Sequence, residues 1–177
     1  MLAAARRGEE SAVTTLYQTL QPPLLGYLRA FEPAEAEDLA SDVWLGIGRS
    51  IAKFEGDEAA FRGWMFTIAR RRVVDLRRRR GRRQTEPAPV QDFVAIAGPD
   101  NPESTVLDAL GAQEARLLIA DLLPPDQADA ILLRVVGGLD TAQIAAVLGK
   151  RPGAVRVLQH RALRRLAKEF SARGVTK

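Results

Sequence analysis

Between Gln84 and Ser104 the chain carries Pro87, Pro89, Gly98, Pro99, Asn101 and Pro102, with no long apolar period. Proline removes backbone donors and fixes φ, so no helix is sustained through such a stretch. It divides the 177 residues into two blocks whose apolar residues recur at helical steps. The expected fold is all-α: two small helical domains, 1–83 and 105–177, joined by a flexible linker over 84–104. Domains of this size bury modest cores, so each depends on close helix packing. The linker's one apolar patch, Phe93 to Ala97, is a candidate docking segment for a partner or for one of the domains.

In the first block Val13, Leu16, Tyr17 and Leu20 set a helix that Pro22 and Pro23 should break or restart. Leu24, Leu25, Tyr27, Leu28 and Phe31 resume the pattern. A third helix is expected from about Ala34 to Ala52, then a loop over residues 55–58. A long helix follows from Ala60 to about Arg80, with Ile68, Val73, Val74 and Leu76 as core positions. In the second block Ser104 is a candidate N-cap for a helix reaching about Leu122, and Leu123-Pro124-Pro125 ends it. The next helix spans 126–136 and closes at Gly137-Gly138.

Residues 139–166 then read as a helix-turn-helix. Asp140 or Thr141 caps a short helix, Gly149 stands where a helix end tolerates positive φ, and Pro152 suits the next first turn. In the last helix Val155, Leu158, Ala162 and Leu166 form a buried stripe. The opposite face presents Gly153, Arg156, Val157, His160, Arg161 and Arg164. Small residues at the N-terminus and cations beyond them suit a helix that enters the major groove.

Charge is segregated. Net charge is +4, yet acids gather in 32–42 and arginines in 70–83 and 151–165. That arrangement suggests one surface for a polyanion and another for something else. With no cysteine and a single histidine, disulfides, thiolate metal sites and His-based zinc sites are excluded. No apolar run is long enough for a membrane span, and the N-terminal residues lack a signal-peptide pattern. The expected compartment is the cytoplasm, with no membrane insertion.

Glu35, Asp38 and Asp42 share a face of the third helix beside Leu39, Val43 and Ile47. Such carboxylates on a regular helix lack a liganding loop, so the expectation is a docking face for a basic partner helix, or plain solvated charge, rather than a metal site. The long helix holds Phe61, Trp64, Met65 and Phe66 near one end and Arg70, Arg71, Arg72, Arg77, Arg78, Arg79 and Arg80 toward the other. Aromatics beside guanidinium groups suit single-stranded nucleic acid, although Trp64 is equally suited to the core. A nuclease would need acids near a basic cleft. A polymerase-independent repressor would use the same helix-turn-helix.

Both blocks resemble the extracytoplasmic function (ECF) sigma factors of the sigma-70 family. Leu16-Tyr17 with Pro22 is similar to region 2.1, and Glu37-Asp38-Leu39 with Asp42-Val43-Trp44-Leu45 to region 2.2. Trp64, Ile68-Ala69-Arg70, Asp75 and the arginines after it resemble regions 2.3 and 2.4. Leu123-Pro124-Pro125 with Leu132-Leu133-Arg134 is similar to region 4.1. Thr141 to Ala145, Leu148-Gly149, Gly153 to Arg156 and His160-Arg161-Ala162 resemble region 4.2. Departures are Ser41 where the family usually has Gln, Arg71 where it commonly has Asn, and Gly46 and Gly48 in a helix usually poor in glycine.

The resemblance implies a factor that binds core RNA polymerase and directs promoter-specific initiation, with no catalytic residue, cofactor or metal. It implies polymerase contacts (β′ coiled coil, β flap), with Glu35, Asp38, Leu39, Asp42, Trp44 and Leu45 on the polymerase-binding surface. Phe61, Trp64, Arg70, Arg71, Arg72 and Arg77 to Arg80 (Arg77, Arg78, Arg79, Arg80) are implied at the −10 strand. Arg151, Gly153, Ala154, Arg156, Val157, His160, Arg161 and Arg164 are implied at the −35 duplex. An anti-sigma factor is the implied regulator, acting from a separate chain.

Overall fold

A computed structural model describes the backbone of residues 1–83 and 105–172 and the side chains of 1–82 and 111–169. The linker, its Phe93 to Ala97 patch and the Ser104 cap lie outside the described residues. Among the described residues the structure is helical, without a strand: α1 Leu2–Arg6, α2 Glu10–Phe31, α3 Ala36–Ser50, α4 Glu58–Arg83, α5 Thr105–Leu122, α6 Pro125–Val135, α7 Thr141–Leu148 and α8 Pro152–Ala172. The all-α expectation holds.

One local expectation does not. α2 runs through Pro22 and Pro23 without a break. Each proline withdraws its own N–H, which leaves the carbonyls of Gln18 and Thr19 without helical donors. Both of those residues are exposed, so water can satisfy them. Leu16, Leu20, Leu24, Tyr27 and Leu28 meanwhile bury a stripe that spans both sides of the pair, and that burial holds the two halves in one helix.

α3 is flanked by short 3₁₀ turns at Pro33–Glu35 and Ile51–Lys53, and it buries Leu39, Val43 and Ile47. α4 begins where the Ala60 N–H donates to Asp57 Oδ1 at 2.7 Å, an N-cap bond that satisfies one free donor of the first turn. It buries Phe61, Met65, Phe66, Ala69 and Val73, whereas Ile68, Val74 and Leu76 are half-buried.

The two blocks pack directly on each other, with α5 along α2 and α7 along α4. Close approach depends on glycine at two places. A Cβ on Gly137 would stand 2.6 Å from the Leu133 carbonyl oxygen and 3.1 Å from the Phe66 ring, and one on Gly26 would stand 3.1 Å from Val136 Cγ1. Phe66 in turn meets Tyr27 edge to face at 5.4 Å. The apolar core is continuous across both blocks, and polar bonds cross it as well. Gln143 Nε2 donates to the Ala59 carbonyl at 2.7 Å and Arg62 Nη1 to the Gly137 carbonyl at 3.3 Å.

Candidate nucleic-acid interface

The helix-turn-helix is built by local bonds. Asp140 accepts from the Gln143 N–H at 2.8 Å, and the Gln143 side chain accepts from the Asp140 N–H at the same distance. This reciprocal capping box sets the start of α7. Gly149 ends it at φ 64°, a left-handed conformation that side chains other than glycine resist. Val155, Ala162 and Leu166 are buried and Leu158 is half-buried. Gln159 Nε2 reaches the Ala130 carbonyl at 3.3 Å, tying α8 to α6. Arg151, Gly153, Ala154, Arg156, Val157, His160, Arg161 and Arg164 are all exposed. Every candidate of this group stands on solvent-facing surface.

α4 is different. Glu32, only 5% exposed, accepts from Arg77 Nε and Arg80 Nη1, each at 2.6 Å. Arg77 also donates to the Phe31 carbonyl at 3.1 Å and lies 5.3 Å from the Phe31 ring centre. Arg80 further pairs with Glu35. These bonds bind the basic end of α4 to the corner between α2 and α3. Arg70 donates from Nε to Asp129 at 2.8 Å and from Nη2 to Asp126 at 3.2 Å. Burial opposes the Arg70 charge, but the hydrogen bond and charge of Asp129 outweigh it and raise its pKa. Asp129 is 6% exposed and also accepts from the Tyr27 hydroxyl at 2.6 Å. Burial first, then the Asp129 charge and hydrogen bond, push the Tyr27 pKa well above its ordinary value.

Arg71, Arg78 and Arg79 are exposed, and Arg72 is half-buried. Arg72 and Arg79 line a crevice of about 230 Å³ with Glu35, Asp38, Leu39 and Asp42. Trp64 is half-buried and stacks on Phe54 at 5.0 Å. On α3, Asp38 and Asp42 are exposed and Leu45 is 59% exposed. Trp44 is half-buried; its Nε1 donates to Gln21 at 2.6 Å and its ring centre lies 5.0 Å from that of Tyr17.

Residues 16–83 match the family model of Sigma-70 region 2, and residues 117–166 match that of Sigma-70, region 4. The chain is 32% identical over 182 residues to the ECF RNA polymerase sigma factor SigD of Mycobacterium tuberculosis strain H37Rv, covering 98% of this chain and 84% of the relative. It is 33% identical over 171 residues to the ECF RNA polymerase sigma factor BldN of Streptomyces coelicolor, covering 95% of this chain and 64% of that one. This chain belongs to the ECF RNA polymerase sigma factors. Among solved structures, its fold resembles the sigma factor RpoE of Bartonella quintana in complex with the anti-sigma factor NepR, at TM-score 0.70 and 24% identity, covering 90% of this chain and 97% of that chain. It also resembles CnrH in complex with the cytosolic domain of CnrY, at TM-score 0.70 and 20% identity, covering 97% and 95%.

Two candidates of this sigma factor sit in its core. Phe61 is fully buried, packed edge-on against Phe54 and Trp64, because the α4 stripe that carries it faces the bundle. Leu39 is buried with Val43 and Ile47, since it lies on the inner side of α3. Phe61 has no exposed surface, whereas Leu39 shows an edge to the crevice it lines with Arg72 and Arg79. Sequence reasoning named Tyr17 and Ser41 only as motif positions and missed Gln21 and Arg49 beside the candidates. Tyr17, Gln21, Ser41 and Arg49 join Trp44 and Leu45 around an apolar-walled groove of about 580 Å³. Asp129 was legible in principle, as one acid inside the apolar run Ala128 to Leu133.

Proposed function

We propose that this ECF sigma factor, a promoter-directing subunit of RNA polymerase, divides its work among α8, α4 and α3. α8 reads the −35 duplex through Arg156, Val157, His160 and Arg161, with Gly153 and Ala154 permitting close approach and Arg151 and Arg164 on phosphates. α4 captures the unpaired −10 strand through Arg70, Arg71, Arg72, Arg78 and Arg79, with Trp64 as the stacking ring. Asp38, Asp42, Trp44 and Leu45 dock core polymerase, with Tyr17 and Ser41 widening that surface. In this reading residues 1–83 form the core-binding and −10 unit, 84–104 the linker, and 105–177 the −35 unit.

The exposed row on α8 behind a capped turn is the observation that carries the reading. The factor works by binding, without catalytic residue or cofactor, in the cytoplasm and under an anti-sigma factor. Among the described residues no helix is long and apolar enough to cross a membrane. Promoter-dependent transcription by core polymerase, with and without the purified chain, tests it. Start sites should require the chain. Tight sequence-specific binding by the free chain, with no effect on core polymerase, would point to a polymerase-independent regulator instead.

A further inference from the structure

Proline is the residue a helix interior tolerates least, yet α2 holds Pro22 and Pro23 side by side in its middle. Such local rules are broken mainly where a surface has work to do. The pair removes the donors that the carbonyls of Gln18 and Thr19 would otherwise meet one turn on, and both residues are exposed. Side chains nearby are committed elsewhere. The Thr15 hydroxyl donates to the Ser11 carbonyl and the Thr19 hydroxyl to the Thr15 carbonyl, each at 2.8 Å, and Gln21 accepts from Trp44 Nε1 at 2.6 Å. The stretch therefore presents two adjacent backbone acceptors to solvent. They continue a face shared with α3. Tyr17 and Gln21 stand on either side of them along α2, and both wall the groove of about 580 Å³ that Trp44 and Leu45 complete. Asp38 and Asp42 are exposed on the same helix as Trp44. Carbonyl oxygens and carboxylates ask for the same complement, cationic N–H donors.

We propose that the Gln18 and Thr19 carbonyls are docking contacts for core RNA polymerase, accepting hydrogen bonds from arginine or lysine side chains of a basic helix laid along α3. With an N–H at 22 or 23 the helix would spend these acceptors on itself. With proline there they are left to water in the free chain and to a partner's donors on assembly. An apolar-walled groove beside exposed carboxylates and unspent carbonyls suits an amphipathic cationic helix, whose apolar side chains enter the groove while its cations reach the rim. The prolines thus exchange helix stability for binding. The inference rests on the proposed docking of core polymerase at Asp38, Asp42, Trp44 and Leu45, and extends it from side chains of α3 to the backbone of α2.

Pro22→Ala and Pro23→Ala, singly and together in the full chain, each return an N–H to α2 and so set folding against docking. The thermal midpoint of the double variant should rise by about 4 °C or more, while its affinity for core polymerase falls. Each single change should weaken polymerase binding about threefold to tenfold, and the pair more than either. Affinity for a duplex oligonucleotide should stay that of the parent chain, since α8 carries neither residue. Asp42→Arg is the reference for docking at α3 and should also weaken polymerase binding. If it does so while the stabilised proline variants bind as tightly as the parent, the carbonyl contacts are wrong and docking at α3 stands. If Asp42→Arg is without effect as well, the docking surface itself is misplaced and the inference falls with it. A double variant no weaker than one of the singles would trace the loss to the shape of α2 rather than to two acceptors, and would likewise overturn the proposal.

Discussion

α4 and α8 are both basic helices, yet their arginines are in opposite circumstances. Those of α8 at 156, 161 and 164, with Arg151 in the turn before it, face solvent. On α4, Arg70, Arg77 and Arg80 are bound by Asp126, Asp129, Glu32 and Glu35. A run of like charge on one helix need not await a polyanion, since buried carboxylates from neighbouring helices can neutralise it. The comparison separates a basic face open to solvent from one whose cations are engaged within the chain.

The sharpest way to break that contrast is Glu32→Gln. Glu32 is 5% exposed while Arg77 and Arg80 are 43% and 46% exposed. The loss should therefore fall below that of a wholly buried pair, at roughly 2–3 kcal/mol in urea unfolding. If α4 resembled α8, the change would register within about 0.5 kcal/mol, as at an ordinary surface site.

Arg156→Ala probes the other helix. It should leave stability nearly unchanged and weaken binding to a −35 duplex by about 1–3 kcal/mol if it contacts a base. An equal loss on every duplex, with a shallower salt dependence, would make Arg156 a phosphate contact.

Asp140→Ala removes the capping box that positions α8 through the turn, with an expected cost of about 1 kcal/mol in thermal or urea unfolding. A larger loss of duplex affinity than of stability would show that the cap sets the angle of the reading helix.

The smallest expected effect is on the alkaline side. Tyr27 faces Asp129, Arg70 and Arg77, and its pKa in the folded chain is raised. Below about pH 10 the phenol is neutral whether the chain is folded or unfolded, and its bond contributes fully. As pH rises further the unfolded chain ionises first, so stability falls until the folded chain follows. Tyr27→Phe should flatten this decline in pH-dependent unfolding curves. An unchanged slope would exclude Tyr27 as its source.

Much of this molecule was legible in sequence because its signals are local. Capping by Asp140, the φ of Gly149, the stripe of Val155, Ala162 and Leu166, and the solvent side of α8 each depend on residues within a few turns of one another. The same holds for the inner face of α3, although it claimed Leu39 for the core rather than for a partner. Where burial against the rest of the bundle decides, local pattern misled. The breaking tendency of Pro22 and Pro23 was outweighed by a buried stripe spanning them, and Phe61 was drawn inward by Phe54 and Trp64.

By itself the sequence determined the all-α class, the helix-turn-helix and the family. Helical period, caps and motif order are properties of short stretches, so no tertiary contact was needed to read them. Only the tertiary structure decided which arginines are already engaged and that the two blocks share a core. Asp129 finds Arg70 and Tyr27 across 59 and 102 residues of chain, and a pairing at that separation is selected by packing geometry and desolvation, which leave no periodic mark in the sequence.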